Sequence, residues 1–333
     1  MWRSTSAAAL IAFALALGDF CVVAAQPPPT ASAPVAAPPV ATPEDDIPDA
    51  LYAIPTRRDR IGRIVVPVMV DGRGPFQFML DTGANTTVLA PHLAETLGLR
   101  VDLDQLVTMS GVTGSAPVPT AEVDHIEAGA ISLGKRRLAV AQASLIGTDG
   151  VLGVDALEDK LVVADFGHDR IEVLDARRHR STPRLRRIPA GSRFGRLLVV
   201  DALVGTIKVK AVIDTGGQRT LGNRALYAEL GLRPSMTERG AAAEVVGATD
   251  TRQYGEKYTV PRITMADNLD ITELAVVFGD FYIFKLWNLQ RTPALVIGMD
   301  MIGTLDMFGV DYLRGEVQMK AGRDWSERRG PLY

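Results

Sequence analysis

The tripeptide Asp-Thr-Gly occurs twice, at Asp81-Thr82-Gly83 and Asp214-Thr215-Gly216, each time directly after a short apolar run (Phe78-Met79-Leu80 and Ala211-Val212-Ile213). The copies lie 133 positions apart, and the same offset relates Gly62-Arg63 to Gly195-Arg196 and Leu97-Gly98-Leu99 to Leu230-Gly231-Leu232. Three matches at one spacing mark an internal repeat. A further echo, Val151-Leu152-Gly153-Val154-Asp155 against Val296-Ile297-Gly298-Met299-Asp300, is offset by 145, so the second unit carries about 12 extra residues between its two motifs. Whatever fold forms must build one pattern twice.

A chain of 333 residues exceeds one compact core and suits two lobes of ordinary domain size. With 47% hydrophobic residues, burial is not limiting. The repeat divides the chain into a first lobe at 49–176, a basic connector at 177–187, a second lobe at 188–322 and a tail at 323–333. The connector is rich in arginine (Arg177, Arg178, Arg180, Arg184, Arg186, Arg187) and reads as a solvated charged segment. A formal net charge of −3, with both signs well mixed, gives no polyelectrolyte signal, so no nucleic-acid partner is expected.

Residues 1–25 read as an export signal: Arg3, an apolar stretch from Ala7 to Leu17, and Val23-Ala24-Ala25 as a small-residue cleavage site. The stretch is too short for a membrane span, which needs about 20 residues. The expectation is therefore an exported protein, periplasmic or secreted, with no stable membrane span after cleavage. Cys21, the one cysteine, would leave with the signal and the mature chain would form no disulfide. Residues 26–48, dominated by Pro, Ala, Thr and Ser, have the composition of a disordered linker.

Local patterning is β-rich. Ile64 to Val70 predicts a strand, Asp71-Gly72-Arg73-Gly74 a turn, and Phe76 to Leu80 the strand that delivers Asp81. Leu197 to Val204, a turn at Gly205 and Lys208 to Ile213 repeat this. A short helix follows each Asp-Thr-Gly loop: Ala90 to Leu97 stopped by Gly98, and one capped by Asn223 and stopped by Gly231. The fold expected is mainly β, two tandem β-barrel lobes with few short helices.

At these residues the chain resembles the aspartic peptidases of the retropepsin and pepsin type. Asp81-Thr82-Gly83-Ala84-Asn85-Thr86-Thr87-Val88-Leu89 is similar to the active-site loop of retroviral proteases, and the elements ending at Gly153 and Gly298 are similar to the second signature of each lobe. The resemblance extends to bacterial exported proteins with two retropepsin-like repeats in one chain. It implies two acid-protease lobes related by a pseudo-twofold, catalytic Asp81 and Asp214, and Thr82 and Thr215 bonding across that axis. Gly153 and Gly298 would let neighbouring chain pass close to the loops. Val154 and Met299 stand where retroviral members place the Arg that helps join subunits, which favours pairing within one chain and a monomer.

Chemistry explains the residue types. Amide hydrolysis without a metal or a covalent intermediate needs one group to deprotonate water and another to protonate or polarise the carbonyl. Two carboxylates sharing a proton do both, because repulsion keeps one neutral while the other ionises. Gly83 and Gly216 permit the tight turn and the close approach of the loops. Substrate-binding candidates are Ala84 and Asn85, the differing pair Gly217 and Gln218, and two glycine-bearing hairpins, Gly111-Val112-Thr113-Gly114 and Gly247 onward; ordinary hairpin turns explain the last two equally well. The aromatic residues Phe278, Phe281, Tyr282, Phe284 and Trp287 read as core, with an apolar pocket lining as the rival. Asp155 and Asp300 read as turn and cap residues.

No cofactor or metal is called for: His92, His125, His168 and His179 lack ligand spacing, and there is no phosphate-cradling loop or Gly-x-Ser-x-Gly elbow. The reading is an aspartic endopeptidase acting on a polypeptide substrate. Two rivals remain open: a catalytically silent peptide-binding scaffold on the same fold, and a site formed only between two chains.

Overall fold

The computed structural model describes residues 53–55, 57–58, 62–141, 148–180, 185–232, 242–249, 251–265 and 269–321. All fall in one compact unit, Ile47–Tyr333. The signal and linker expectations, Cys21 and the 323–333 tail lie outside the described residues. Among the described residues no helix is long and apolar enough to cross a membrane.

The structure is mainly β, with two β lobes. In the second lobe, Leu197–Val204 pairs with Ile207–Ile213, which pairs in parallel with Ala294–Ile297; the sheet continues through Leu221–Gly222, Leu269–Phe278 and Arg252–Met265. Arg252–Met265 returns to Leu197–Val204 through Leu203↔Thr264, which closes a six-strand barrel.

The first lobe uses the same order with interruptions. Ile64–Val70 pairs with Arg73–Leu80, which pairs in parallel with Gly150–Leu152, then Val88–Leu89, Arg136–Val140 and Ser115–Val123. Where the second lobe has the 14-residue strand Arg252–Met265, the first breaks after Val123 and resumes at Ile126–Ala128. The break is stabilised by Asp71, whose Oδ1 accepts the amides of Asp124 and His125, each at 2.8 Å. The result is a curled half-barrel.

Strand positions follow the pattern of the sequence. Ile64–Val70 and Leu197–Val204 have the expected bounds, whereas the strand leading to Asp81 starts earlier than expected, at Arg73, because the turn takes only Asp71-Gly72. Both expected helices form. Pro91–Leu97 has Pro at its first position and ends on Gly98 at φ 70°, whose amide donates to Glu95 O at 2.9 Å. Arg224–Glu229 is capped by Asn223, whose side chain accepts the Leu226 amide at 2.9 Å.

A third set of strands draws on both halves of the chain. Lys160–Asp165 of the first pairs antiparallel with Leu305–Asp311 of the second (Val163↔Gly309), flanked by Arg170–Asp175 and by Glu316–Ala321. Glu316–Ala321 then pairs with Arg186–Arg193, so the C-terminal end of the basic connector is strand. One buried apolar cluster runs through both lobes, from Val66 and Phe78 to Ile213 and Phe278. This shared sheet and core fix the two Asp-Thr-Gly loops relative to each other.

Candidate active site

Each Asp-Thr-Gly loop leaves the buried end of a strand. Asp81 follows Arg73–Leu80 and its amide donates to Leu152 O at 3.0 Å; Asp214 follows Ile207–Ile213 and its amide donates to Ile297 O at 3.0 Å. Parallel pairing with Gly150–Leu152 and Ala294–Ile297 therefore holds Asp81 beside Gly153 and Asp214 beside Gly298.

The loops meet through their threonines. Thr82 N donates to Thr215 Oγ1 at 3.0 Å and Thr215 N to Thr82 Oγ1 at 3.1 Å. Thr82 Oγ1 in turn donates to Ile213 O at 2.8 Å and Thr215 Oγ1 to Leu80 O at 2.7 Å. Both side chains are fully buried. Every polar atom of the two hydroxyls is thus spent across the junction, which is what burial of a polar group requires.

The glycines bring the carboxyls together. A Cβ on Gly83 would lie 2.5 Å from Asp214 Oδ1, and one on Gly216 would collide with Asp81 Oδ2. Each aspartate therefore packs on the glycine of the opposite loop, and the two carboxyl groups are close enough to interact. Asp81 Oδ1 accepts the Gly83 amide at 2.7 Å, and Asp214 Oδ1 accepts those of Gly216 and Gly217 at 2.9 Å.

Burial, and then the like charge of Asp214, pushes the pKa of Asp81 well above the ordinary carboxylate value, against the amides of Gly83 and Gly216. Asp214 is raised as well, again chiefly by burial, opposed by the Gly217 amide and the hydrogen bond with Asp81. Two carboxyls this close share one proton and titrate as a pair.

Gly153 and Gly298 support the loops from beneath. A Cβ on Gly153 would sit 2.5 Å from the Thr86 carbonyl carbon, and one on Gly298 2.7 Å from that of Arg219. The following amides bond the loops directly, Val154 N to Ala84 O and Met299 N to Gly217 O, both at 2.8 Å. Backbone atoms of Ala84 and Gly217 are therefore occupied by the scaffold.

Asp155 and Asp300 do more than end a turn. Asp155 Oδ1 accepts both N and Oγ1 of Thr87 at 2.8 Å, and Asp300 accepts N and Oγ1 of Thr220 at 2.9 and 2.7 Å. They tie the C-terminal end of each loop to the second motif. The signal was present in the sequence: Thr87 and Thr220 keep the 133-residue offset, and an Asp follows each second-motif Gly by two positions.

Among the substrate-binding candidates, Asn85 is committed to the opposite lobe. Its Nδ2 donates to Phe194 O and its Oδ1 accepts the Arg196 amide, both at 2.8 Å, with Gly195 packed against the amide group. Gln218 lends its carbonyl to the Asp300 amide at 3.1 Å.

The two candidate hairpins touch each other. The first turns between Val101–Ser110 and Ser115–Val123, the second between Ala242–Val246 and Arg252–Met265. Gly247 N donates to Thr113 Oγ1 at 3.1 Å, Gly111 packs on Ala248, and Gly114 packs on Thr251. The first tip also docks on the helix Tyr282–Leu286, through Ile283 N to Val112 O and Tyr282 OH to Ser115 Oγ, both at 3.1 Å. That helix lies in the 279–293 stretch, between Leu269–Phe278 and Ala294–Ile297.

The aromatic segment is divided in role. Phe278, Phe281 and Phe284 are buried, whereas Trp287 stacks on Phe194 with ring centroids 4.9 Å apart. An apolar cavity of about 440 Å³ lies beside the first hairpin, walled by Met109, Val118 and Ala141 and by Ala248 and Thr249 of the second.

Residues 66–156 match the Aspartyl protease family. The matched stretch contains Asp81-Thr82-Gly83, the first hairpin and Gly153, and an aspartic-type peptidase acting on polypeptide is the activity that match suggests. Asp214 lies beyond the matched residues.

Proposed function

We propose that the chain is a single-chain aspartic endopeptidase in which Asp81 and Asp214, one from each repeat, activate one water between them. In this reading the protonated carboxyl polarises the scissile carbonyl while the ionised one takes a proton from water, and the attacking oxygen becomes part of the new acid. The carrying observation is that each Asp-Thr-Gly glycine packs on the opposite aspartate while Thr82 and Thr215 bond reciprocally. Nothing in that contact requires a second chain, which favours a monomer with lobes related by a pseudo-twofold. The repeat extends the retropepsin-like assignment to residues 188–322, and the two-repeat bacterial exported proteins that the sequence resembles fit a periplasmic or secreted location. The interlocked hairpins and the apolar cavity supply a roof and a side-chain pocket for an extended peptide.

The test is incubation of purified protein with an unstructured polypeptide over acidic to neutral pH, alongside Asp81→Asn and Asp214→Asn. Cleavage by the wild type and by neither variant is the expected result. An intact polypeptide at every pH would favour the scaffold reading. Activity that vanishes on dilution with dimer dissociation would favour a site between two chains.

A further inference from the structure

Tyr312 follows the strand Leu305–Asp311, and its amide donates to Lys160 O at 3.4 Å, so the residue sits where strands of the two repeats meet. Its ring packs against a small buried cluster formed by Val154, Leu197, Val199 and Val212, closed by the stacked Phe194 and Trp287. Val154 directly follows Gly153, and Val212 precedes Asp214 by two positions, so this cluster adjoins both the second motif of one repeat and the aspartate loop of the other.

The hydroxyl at the end of that ring is buried and has no hydrogen-bond partner among the described residues. A phenol can donate and accept, and burying one with neither function used is unfavourable enough that native structures seldom keep it without a reason. Burial raises the Tyr312 pKa above its ordinary value, and the charges of Asp81 and then Asp214 raise it further. The hydroxyl therefore stays protonated and lies within the field of the pair. A dipole in that field turns its hydrogen toward the negative charge.

We propose that Tyr312 is a positioning residue for the aspartate pair: its hydroxyl donates to the water that the two carboxyls hold. This rests on reading Asp81 and Asp214 as the reacting pair. The donor stabilises the singly ionised form and fixes the nucleophile's orientation, a part that neither threonine can play because both hydroxyls are spent across the loop junction. The other charged groups nearby are already matched. Asp311 pairs with Arg314 at 2.6 Å, Lys160 with Asp159 at 2.6 Å, and Arg196, beside Leu197, with Glu158.

The test compares wild type with Tyr312→Phe, each labelled with ¹³C at the aspartate carboxyls, the Asp81 and Asp214 signals being assigned from their Asn variants. Loss of the donor should move the titration of the pair upward by about one pH unit. It should lower kcat about tenfold with KM held within about twofold, and shift the acid limb of the rate profile upward with the titration. Site-specific 3-fluorotyrosine at position 312, a stronger donor of nearly the same shape, should move the titration downward, and it serves also if the Phe variant does not fold. An unchanged carboxyl titration overturns the proposal, whether or not kcat falls, because packing alone would leave the titration in place. A titration that differs between wild type and Tyr312→Phe, when the wild type cleaves no peptide, sustains this inference and sinks the proposed reaction.

Discussion

Thr82 and Thr215 each use their amide and hydroxyl on the other's loop, through N to Oγ1 contacts of 3.0 and 3.1 Å. The exchange places two segments 133 positions apart in fixed register and leaves no freedom for the aspartates that precede them. Thr82→Val keeps the volume but leaves the Thr215 amide and the Ile213 carbonyl buried without partners. Each such orphan costs about 1–3 kcal/mol, so urea unfolding should show a loss of about 2 kcal/mol or more. In a double-mutant cycle, Thr82→Val with Thr215→Val should be strongly non-additive. Additive losses would mean that the two threonines act independently.

The raised pKa of Asp81 links stability to pH in a defined direction. A carboxyl whose folded pKa exceeds its unfolded value binds its proton more tightly when folded, so its stabilising contribution is complete below the unfolded value and is lost as pH rises through the folded one. The folded state of wild type should therefore lose stability, relative to Asp81→Asn, from about pH 4 upward, as like charge builds in a buried site. The Tm difference between the two proteins, followed from acid to neutral pH, reports this directly, and a flat difference would contradict the shared-proton pair. The same variant should lose at least about 100-fold in kcat/KM.

Close approach makes Gly83 sensitive. A methyl there would stand 2.5 Å from Asp214 Oδ1, so Gly83→Ala must displace a carboxylate held by two amides. A displacement approaching 1 Å costs about 100-fold in rate, and peptide hydrolysis should fall by that order while circular dichroism stays β-rich. Gly98→Ala makes a useful contrast: it meets no atom within 4 Å but sits at φ 70°, so it should lower stability and spare activity.

The sequence was most legible where residue chemistry and repeat spacing coincide. Ile64–Val70 and Leu197–Val204 were bounded correctly because a run of branched apolar residues and a following turn act together. Asn223 and Gly98 marked helix ends because capping is a local property of the chain. The half-barrel of the first lobe was not legible, since its break depends on Asp71 reaching Asp124 and His125 across 53 and 54 positions. Asp155 and Asp300 looked like cap residues because a sequence shows the turn they sit in and not the threonine each one reaches. Asn85, read as a possible substrate contact, is taken up by Phe194 and Arg196 of the other repeat. No local pattern could announce that partner.

The hairpin contact makes the last prediction. Thr113 is buried and its hydroxyl accepts the Gly247 amide, while Val112 O accepts the Ile283 amide, so the first hairpin is held by the second and by the helix Tyr282–Leu286. In the proposed reading these bonds hold the roof against which a bound peptide rests. Thr113→Val removes one acceptor and should speed amide exchange at Gly111 and Gly247 about tenfold, the equivalent of about 1.4 kcal/mol of local opening. Gly247→Ala acts from the other side, because its methyl would collide with Thr113 Oγ1 and press on the amides of Thr113 and Val112. Both variants should raise KM more than they lower kcat, since the aspartate loops are untouched. Hydrogen exchange read by mass spectrometry on peptides covering 110–115 and 242–249, set beside steady-state kinetics, measures both effects. Exchange that stays at the wild-type rate would mean that the tips adjoin without holding each other, and the roof would then have to be sought elsewhere on the two lobes.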